Sequence, residues 1–215
     1  MGSNALEDIR ERIVKASKEL HAHGLVRGTS GNISARIPGS DTFLVKPSGA
    51  HMKFLKPEEL VLVDLQGKKI KGEFDVSMET PIHAAIYRAR KDVQAVVHTH
   101  APTATAFGIA KNEILPLQIE IFILLPNGVP IIPFAPPGSK ELAEAIQKKI
   151  AYCDAVMLEN HGIVTVGSSI ETACTLNEMV EEAAKIQLSA MMLSGRDILD
   201  LAKLKKKFKT ENIIR

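Results

Sequence analysis

The sequence lacks tryptophan, and its 215 residues include only two cysteines and 4% aromatic side chains. So little cysteine excludes a disulfide framework, and we expect Cys153 and Cys174 to be buried free thiols. Aliphatic side chains must therefore fill most of the core. No apolar run is long enough to cross a bilayer, and the first residues lack the basic and apolar segments of a signal peptide. We expect a cytoplasmic protein with no membrane partner.

An excess of charge of one sign is also missing. The 27 basic and 25 acidic residues leave a formal net charge of +2, which gives no reason to expect nucleic acid as a partner. The one basic run lies in a C-terminal tail, about residues 203–215, and is typical of a solvated helix face. Apolar residues make up 45% and charged residues 24% of the chain, as in ordinary globular proteins.

The apolar patterns along the chain predict an α/β protein. The predicted helices are 6–20, 80–90, 102–109, 138–150 and 169–192. The predicted strands are 43–45, 60–65, 69–73, 93–97, 155–158 and 163–166, and 119–125 fits a helix or a strand equally. We expect Thr80 to be the N-cap of the second helix, with Pro81 in its first turn. No repeat or linker divides the chain, so we predict a single domain over residues 1–215 with a mixed or antiparallel sheet.

The segment His98-Thr99-His100 follows the predicted buried strand 93–97 and carries the main chemical signal. Residues two apart on a strand point to the same face, so both imidazoles can reach one ion. A third candidate is His161, in Asn160-His161-Gly162. Three protein ligands leave a coordination position open for substrate, as in catalytic zinc sites. The pattern therefore predicts a metalloenzyme, although His161 taken alone also fits a structural histidine in the core.

A second His-x-His pair provides an internal comparison. His21 and His23 follow the predicted helix 6–20, where residues two apart are separated by about 200° around the axis. Their imidazoles diverge and cannot share an ion. We expect them to lie in the last helical turn, near carbonyl groups that lack partners, with Gly24 ending the helix.

Two short segments rich in glycine and hydroxyl groups are candidate anion sites. In Gly28–Ser34, two glycines permit positive φ, so that backbone N–H groups can converge on a phosphate, with added side-chain donors from Thr29, Ser30 and Asn32. Pro47-Ser48-Gly49 repeats this chemistry after a strand. Each segment alone also fits an ordinary polar loop.

Two polar residues precede the helix that starts near Thr80. Ser77 is a candidate phosphate ligand there, because helix N-termini favour anions, or else a local cap. Glu79 is a candidate general base, or a fourth metal ligand that substrate displaces. Its alternative is a carboxylate stabilised by the helix N-terminus. We expect His83, four residues on, to support the structure around Glu79, and we assign no role to His51.

Five segments together resemble one family in their order and spacing. They are Gly28-Thr29-Ser30-Gly31-Asn32-Ile33-Ser34, Pro47-Ser48-Gly49, Ser77-Met78-Glu79, His98-Thr99-His100 and Asn160-His161-Gly162. The chain is thereby similar, over residues 6–193, to the zinc-dependent class II aldolases of the L-fuculose-1-phosphate aldolase and L-ribulose-5-phosphate epimerase group, the aldolase/adducin-head family. The resemblance implies a three-layer α/β/α sandwich with a mostly antiparallel sheet. It also implies a cyclic homotetramer with active sites between subunits.

The resemblance implies roles for individual residues of the site. Zn²⁺ would be held by His98, His100 and His161, and Glu79 matches the family's acidic catalytic residue. The positions matching the substrate phosphate site are Thr29, Gly31, Asn32, Ser48, Gly49 and Ser77. The substrate would be a ketose 1-phosphate, cleaved reversibly to dihydroxyacetone phosphate and a short aldehyde. Glu79 would remove a C–H proton while Zn²⁺ stabilises the enediolate as a Lewis acid.

Departures from the family pattern leave part of the chemistry open. Met78 stands where the family commonly has a second serine, and the only tyrosines, Tyr87 and Tyr152, are not at the family's proton-donor positions. We nominate Glu120 as the substitute acid.

An epimerase, dehydratase or decarboxylase of a sugar phosphate or sugar acid is the alternative function, although the epimerases typically carry Asp at position 79. A non-catalytic adducin-head-like domain would have lost the three histidines. Mn²⁺, Co²⁺ or Fe²⁺ could replace zinc on imidazole ligands.

Overall fold

The structure is a computed structural model that describes residues 3–194 and 201–204. The α-helices of this described part are α1 (Ser3–Ala22), α2 (Thr80–Ala89), α3 (Pro102–Ile109), α4 (Ile119–Leu124), α5 (Lys140–Ile150) and α6 (Ile170–Ser194). Its strands are β1 (Asn32–Arg36), β2 (Thr42–Val45), β3 (Val61–Asp64), β4 (Lys69–Lys71), β5 (Ala95–Thr99), β6 (Ile131–Ile132), β7 (Ala155–Leu158) and β8 (Gly162–Gly167). None of the helices described is long and apolar enough to span a membrane. Most of the predicted basic tail lies outside the described residues.

All eight strands form one sheet in the order β4-β3-β2-β1-β5-β8-β7-β6. Each neighbouring pair is antiparallel except β6 and β7, which are parallel. The predicted α/β class with a mixed, mostly antiparallel sheet is therefore confirmed. The three central strands β1, β5 and β8 come from distant parts of the chain, and their ends position the candidate site.

Two hydrophobic cores lie on opposite faces of this sheet. Ala95 and Val97 of β5 belong to the core that contains apolar residues of α1, α3 and α6. Val96, between them, belongs to the core that contains residues of α2 and α5. Successive strand residues point to opposite faces, so this alternation separates the two cores. Cys174 is buried and Cys153 is half-buried, and both are free thiols.

The main departures from the sequence predictions are at β1, β6 and the start of α2. Strand β1 was not predicted, because Gly, Ser and Asn disfavour strands locally, but pairing with both β2 and β5 overrides that preference. Strand β6 is only two residues long. The N-cap of α2 is Glu79 rather than Thr80, since Thr80 N–H already bonds to the Ser77 carbonyl in a turn. Segment 119–124 is helical.

Candidate metal centre

The three predicted histidines meet at one end of the sheet. His98 lies in β5, His100 follows that strand, and His161 lies in the turn between β7 and β8. Their ring centroids are 4.7–5.1 Å apart, and one ligand atom from each falls within 4.8 Å of the others. His98 Nε2 and His100 Nε2 are 3.1 Å apart. This group can hold a metal ion.

The backbone on both sides of Thr99 explains why His98 and His100 share a face. Thr99 points to the opposite face, where its hydroxyl donates to Asn177 Oδ1 of α6 at 2.7 Å. Asn177 Nδ2 in turn donates to Thr165 of β8 at 3.1 Å. These buried bonds tie the end of β5 to α6 and so hold both imidazoles on the face of the sheet that carries α2.

The protonation of the imidazoles suits a metal ligand. His98 Nδ1 lies 2.9 Å from the Ile163 carbonyl oxygen, and since a carbonyl only accepts, Nδ1 carries the hydrogen and Nε2 keeps its lone pair. Burial lowers the pKa of His98, and burial lowers the pKa of His100 to about 4. Both rings are therefore neutral at pH 7, which is the form that binds a metal.

Glu79 lies against the histidines with a buried carboxylate. Its Oε2 is 3.3 Å from His98 Nε2, and its Oε1 is 3.2 Å from His161 Nε2. Asn32 Nδ2 donates to Oε2 at 2.6 Å, whereas Oε1 makes no hydrogen bond of normal geometry with any described residue. Burial raises the pKa of Glu79, but His98, His161 and Asn32 outweigh it and hold that pKa well below its usual range. The carboxylate is therefore ionised.

The spacing of these atoms fits a tetrahedral cation. Zinc with bonds of about 2.0–2.1 Å to nitrogen and oxygen places its ligand atoms about 3.3–3.4 Å apart. Three separations are close to this value. His98 Nε2 is 3.1 Å from His100 Nε2 and 3.3 Å from Glu79 Oε2, and His161 Nε2 is 3.2 Å from Glu79 Oε1. The lone pairs on these nitrogen and oxygen atoms repel one another at such distances. A cation bound between the atoms would remove that repulsion, because each lone pair would then face the positive charge. The residues present thus fit a zinc-type ion.

The segments predicted for phosphate adjoin one another and Glu79. Lys46 Nζ donates to the Thr29 carbonyl at 3.1 Å, which ties the Gly28–Ser34 segment to the strand end before Pro47. Ser48 N–H donates to the Asp75 carbonyl at 2.9 Å, which ties the second segment to residues just before Ser77. Ser77 Oγ accepts from the Glu79 N–H at 3.3 Å.

The predicted phosphate residues differ in exposure. Thr29, Ser48 and Gly49 are exposed, whereas Gly31, Asn32 and Ser77 are buried. Gly31 and Gly49 have φ of 69° and 68°, so their backbone takes the left-handed conformation that the predicted anion site requires. The Asn32 amide has two hydrogens and uses one for Glu79, so a second donor remains.

Two further residues contribute here: Lys46, which the sequence did not single out, and His83, which was expected to support the structure around Glu79. Lys46 is 2% exposed, and burial lowers its pKa to about 8 while Glu79 opposes that shift. Its ammonium donates to the Thr29 carbonyl at 3.1 Å and to the Pro47 carbonyl at 3.5 Å, so it contacts both glycine segments. The sequence offers no signal for it beyond a lysine that follows a strand. His83 is fully buried and bonds to Asn32 and Ser34, and its four-residue spacing from Glu79 on α2 is a signal that sequence reasoning can use.

The remaining candidates have other surroundings or partners. Glu120 is exposed in the first turn of α4. His21 lies on α1 and packs its ring against His51 at 5.1 Å, while His23 Nδ1 pairs with Glu178 at 2.8 Å. The two imidazoles therefore engage different partners, as the helical spacing predicts.

Gly162 is required where β8 passes behind the imidazoles. A Cβ there would overlap the Thr99 carbonyl oxygen and lie 3.0 Å from His100 Cδ2 and 3.2 Å from His98 Cε1. We expect Gly162→Ala to displace His100 and to weaken metal binding, with a loss of stability of about 1–3 kcal/mol from overpacking. Metal content after dialysis and thermal unfolding measure the two effects. Gly108→Ala on α3 is the control, and equal metal loss in both variants would contradict the prediction.

Known proteins resemble this chain in both sequence and structure. Residues 11–188 match the family described as Class II Aldolase and Adducin N-terminal domain. A 5-deoxy-D-ribulose 1-phosphate aldolase of Bacillus thuringiensis is 34% identical over 206 residues, which are 94% of this chain and 96% of that protein. An L-fuculose phosphate aldolase of Escherichia coli K12 is 31% identical over 186 residues, covering 86% and 85%. A solved L-fuculose 1-phosphate aldolase aligns with a TM-score of 0.86 at 28% identity, covering 97% of this chain and 98% of that one.

Proposed function

Because the chain belongs to the family of class II aldolase and adducin N-terminal domains, as its motifs predict, we propose that it is a zinc-dependent aldolase. Its substrate is a ketose 1-phosphate, which it cleaves reversibly to dihydroxyacetone phosphate and a short aldehyde. The observation that carries this proposal is the contact of an ionised, buried carboxylate with two of three converging imidazoles, Glu79 with His98 and His161. Such an arrangement suits proton removal beside a Lewis acid.

A metal ion would be held by His98, His100 and His161, and the Glu79 carboxylate is placed to serve as a fourth ligand in the absence of substrate. When bound, the ion supplies Lewis-acid stabilisation of the negative charge that develops on the substrate oxygens. In the direction of aldol addition, Glu79 is the base that removes a C3 proton of dihydroxyacetone phosphate, and Oε1, which lacks a hydrogen bond to the described residues, is the atom that takes it. In the direction of cleavage, the protonated Glu79 acts as the acid and gives that proton to C3 after the C3–C4 bond breaks.

The phosphate is bound by the two glycine segments and the start of α2. Gly31 and Gly49 allow backbone N–H groups to converge, Thr29, Asn32, Ser48 and Ser77 add side-chain donors, and Lys46 contributes a buried positive charge. These contacts fix the phosphate end of the substrate, so that the reacting carbons reach Glu79 in one orientation. Met78 removes one hydroxyl from this site, and Glu120 is the proposed acid for the second proton.

The relatives suggest which ketose 1-phosphates to test. The names of two relatives specify 5-deoxyribulose 1-phosphate and fuculose phosphate. Cleavage between C3 and C4 of either sugar releases dihydroxyacetone phosphate, with a two-carbon aldehyde from the first and a three-carbon aldehyde from the second. We expect purified, zinc-loaded protein to release dihydroxyacetone phosphate from at least one of these esters, measured by coupled reduction with NADH.

The same assay separates the alternatives. An epimerase, dehydratase or decarboxylase would consume a sugar phosphate or sugar acid without releasing dihydroxyacetone phosphate. A non-catalytic adducin-head-like domain would bind no stoichiometric metal. Absence of dihydroxyacetone phosphate from every ketose 1-phosphate offered would overturn the proposal.

The resemblance also supports proposals about assembly. The two cores on opposite faces of the sheet support a three-layer α/β/α sandwich within a single domain over residues 1–215. We propose a cytoplasmic, cyclic homotetramer with active sites between subunits. Sedimentation at the mass of one 23.4-kDa chain would contradict the tetramer.

A further inference from the structure

Helix α2 and strand β1 face each other along a buried row of polar side chains. Glu79, His83 and Tyr87 are four residues apart along the start and body of α2, and Asn32 and Ser34 are two apart on β1. Four helical residues rise about 6.0 Å, and two strand residues rise about 6.6 Å. The two rows therefore stay in register, and each β1 side chain lies between two from α2.

Hydrogen bonds join this row end to end. Asn32 Nδ2 bonds to Glu79 Oε2 at 2.6 Å, and Asn32 Oδ1 forms a short bond with His83 Nε2. His83 Nδ1 lies 2.6 Å from Ser34 Oγ, which lies 2.8 Å from the Tyr87 hydroxyl. All five side chains belong to residues that are at most 8% exposed. Water is therefore a poor competitor for these bonds.

The bond from Asn32 to Glu79 sets the direction of the other bonds in the row. Asn32 Nδ2 donates to Glu79 Oε2, so the amide oxygen faces His83. That oxygen only accepts, so His83 Nε2 carries a hydrogen. Burial lowers the pKa of His83 to about 3, so the ring is neutral and its Nδ1 accepts from Ser34. Ser34 Oγ in turn accepts from Tyr87, whose pKa is raised by burial.

We propose that His83 is a positioning residue, which holds the Asn32 amide in the orientation that donates to Glu79 Oε2 and thereby leaves Oε1 as the reacting oxygen. This inference rests on the proposed function, in which Glu79 is the base. If the amide were reversed, its oxygen would face the carboxylate and its nitrogen would face the His83 N–H. Both contacts would then be repulsive. Because Ser34 donates to Nδ1, the hydrogen of the neutral ring stays on Nε2, and in this tautomer His83 disfavours the reversed amide.

Two variants at His83 test the role of the hydrogen on Nε2. Gln can place an amide N–H near the position of imidazole Nε2, whereas Asn reaches only the position of Nδ1. We expect His83→Asn to lower kcat by about 10- to 100-fold, as for loss of other partners that orient an active-site group. We expect His83→Gln to restore kcat close to wild type. Metal content should be equal in both variants, because neither touches an imidazole of the metal centre.

His51 provides the control for these variants. His51→Asn changes a histidine that lies against His21, and we expect it to leave turnover unchanged. If His83 served only packing, His83→Gln and His83→Asn would lower kcat alike or not at all, and either result overturns the proposal. Thermal unfolding of each variant shows whether it is folded under the assay conditions.

A spectroscopic readout separates this inference from the proposed function. In protein with ¹⁵N-labelled histidine, the ring nitrogens of His83 report the tautomer without any substrate. We expect a neutral ring with hydrogen on Nε2 at pH 7. Hydrogen on Nδ1, or a charged ring, would overturn the hydrogen-bond direction even in an active aldolase. The predicted tautomer in a protein that cleaves no ketose 1-phosphate would instead show that the proposed function alone had failed.

Discussion

Replacement of Glu79 by glutamine is expected to lower kcat for aldol cleavage by about 10²- to 10⁴-fold, the usual contribution of general acid–base catalysis, because an amide cannot transfer the proton. Glutamine has nearly the same shape, and its carbonyl oxygen can still accept from Asn32, as Oε2 does at 2.6 Å. The three imidazoles are unchanged, so we expect metal to be retained. Steady-state kinetics and metal analysis on the same sample test both parts.

The control for this variant is Glu144→Gln, on α5. Glu144 is half exposed and pairs with Lys140 at 3.5 Å, one turn away. The same chemical change there should leave turnover and metal content as in wild type. Full turnover in Glu79→Gln would show that the Glu79 carboxylate takes no part in the reaction. Loss of metal from that variant would show instead that Glu79 is needed as a ligand before it can act as a base.

His100→Ala should abolish both metal retention and turnover. It removes one of the three proposed ligands, whose Nε2 lies 3.1 Å from that of His98. Loss of a group that merely orients a ligand costs about 10- to 100-fold in affinity, so removal of the ligand should cost at least that much. Metal content after dialysis against a chelator measures the effect, and added zinc at high concentration should restore part of the activity.

The second His-x-His pair of the chain provides the matched control. His23→Ala removes an exposed imidazole that pairs with Glu178 at 2.8 Å. Exposed ion pairs contribute only about 0–1 kcal/mol, and no residue of the metal centre contacts this pair among those described. We expect normal metal content and turnover. A His100→Ala protein that keeps stoichiometric zinc would contradict the proposed ligand set.

Local pattern was sufficient for most elements of the fold. Helix α3 at Pro102–Ile109 and strand β7 at Ala155–Leu158 have the predicted bounds. Strand β1 was missed because its Asn-Ile-Ser-Ala-Arg sequence has weak strand preference, and its pairing with β2 and β5 supplies what the local sequence lacks. The N-cap of α2 was misplaced by one residue, since the Thr80 N–H bonds to the Ser77 carbonyl in a turn and Thr80 is already helical.

By itself, the sequence determined the kinds of groups available and which neighbours share a face. The strand period places His98 and His100 together, and the helix period separates His21 from His23, because both depend on backbone geometry over a few residues. Only the tertiary structure decided that His161, Glu79 and Asn32 join the first two. The pairing of Asn32 with His98 across β1 and β5, and of Thr99 with Ile163 across β5 and β8, brings these distant segments to one end of the sheet. Contacts between such segments depend on how whole elements pack, which no local period specifies.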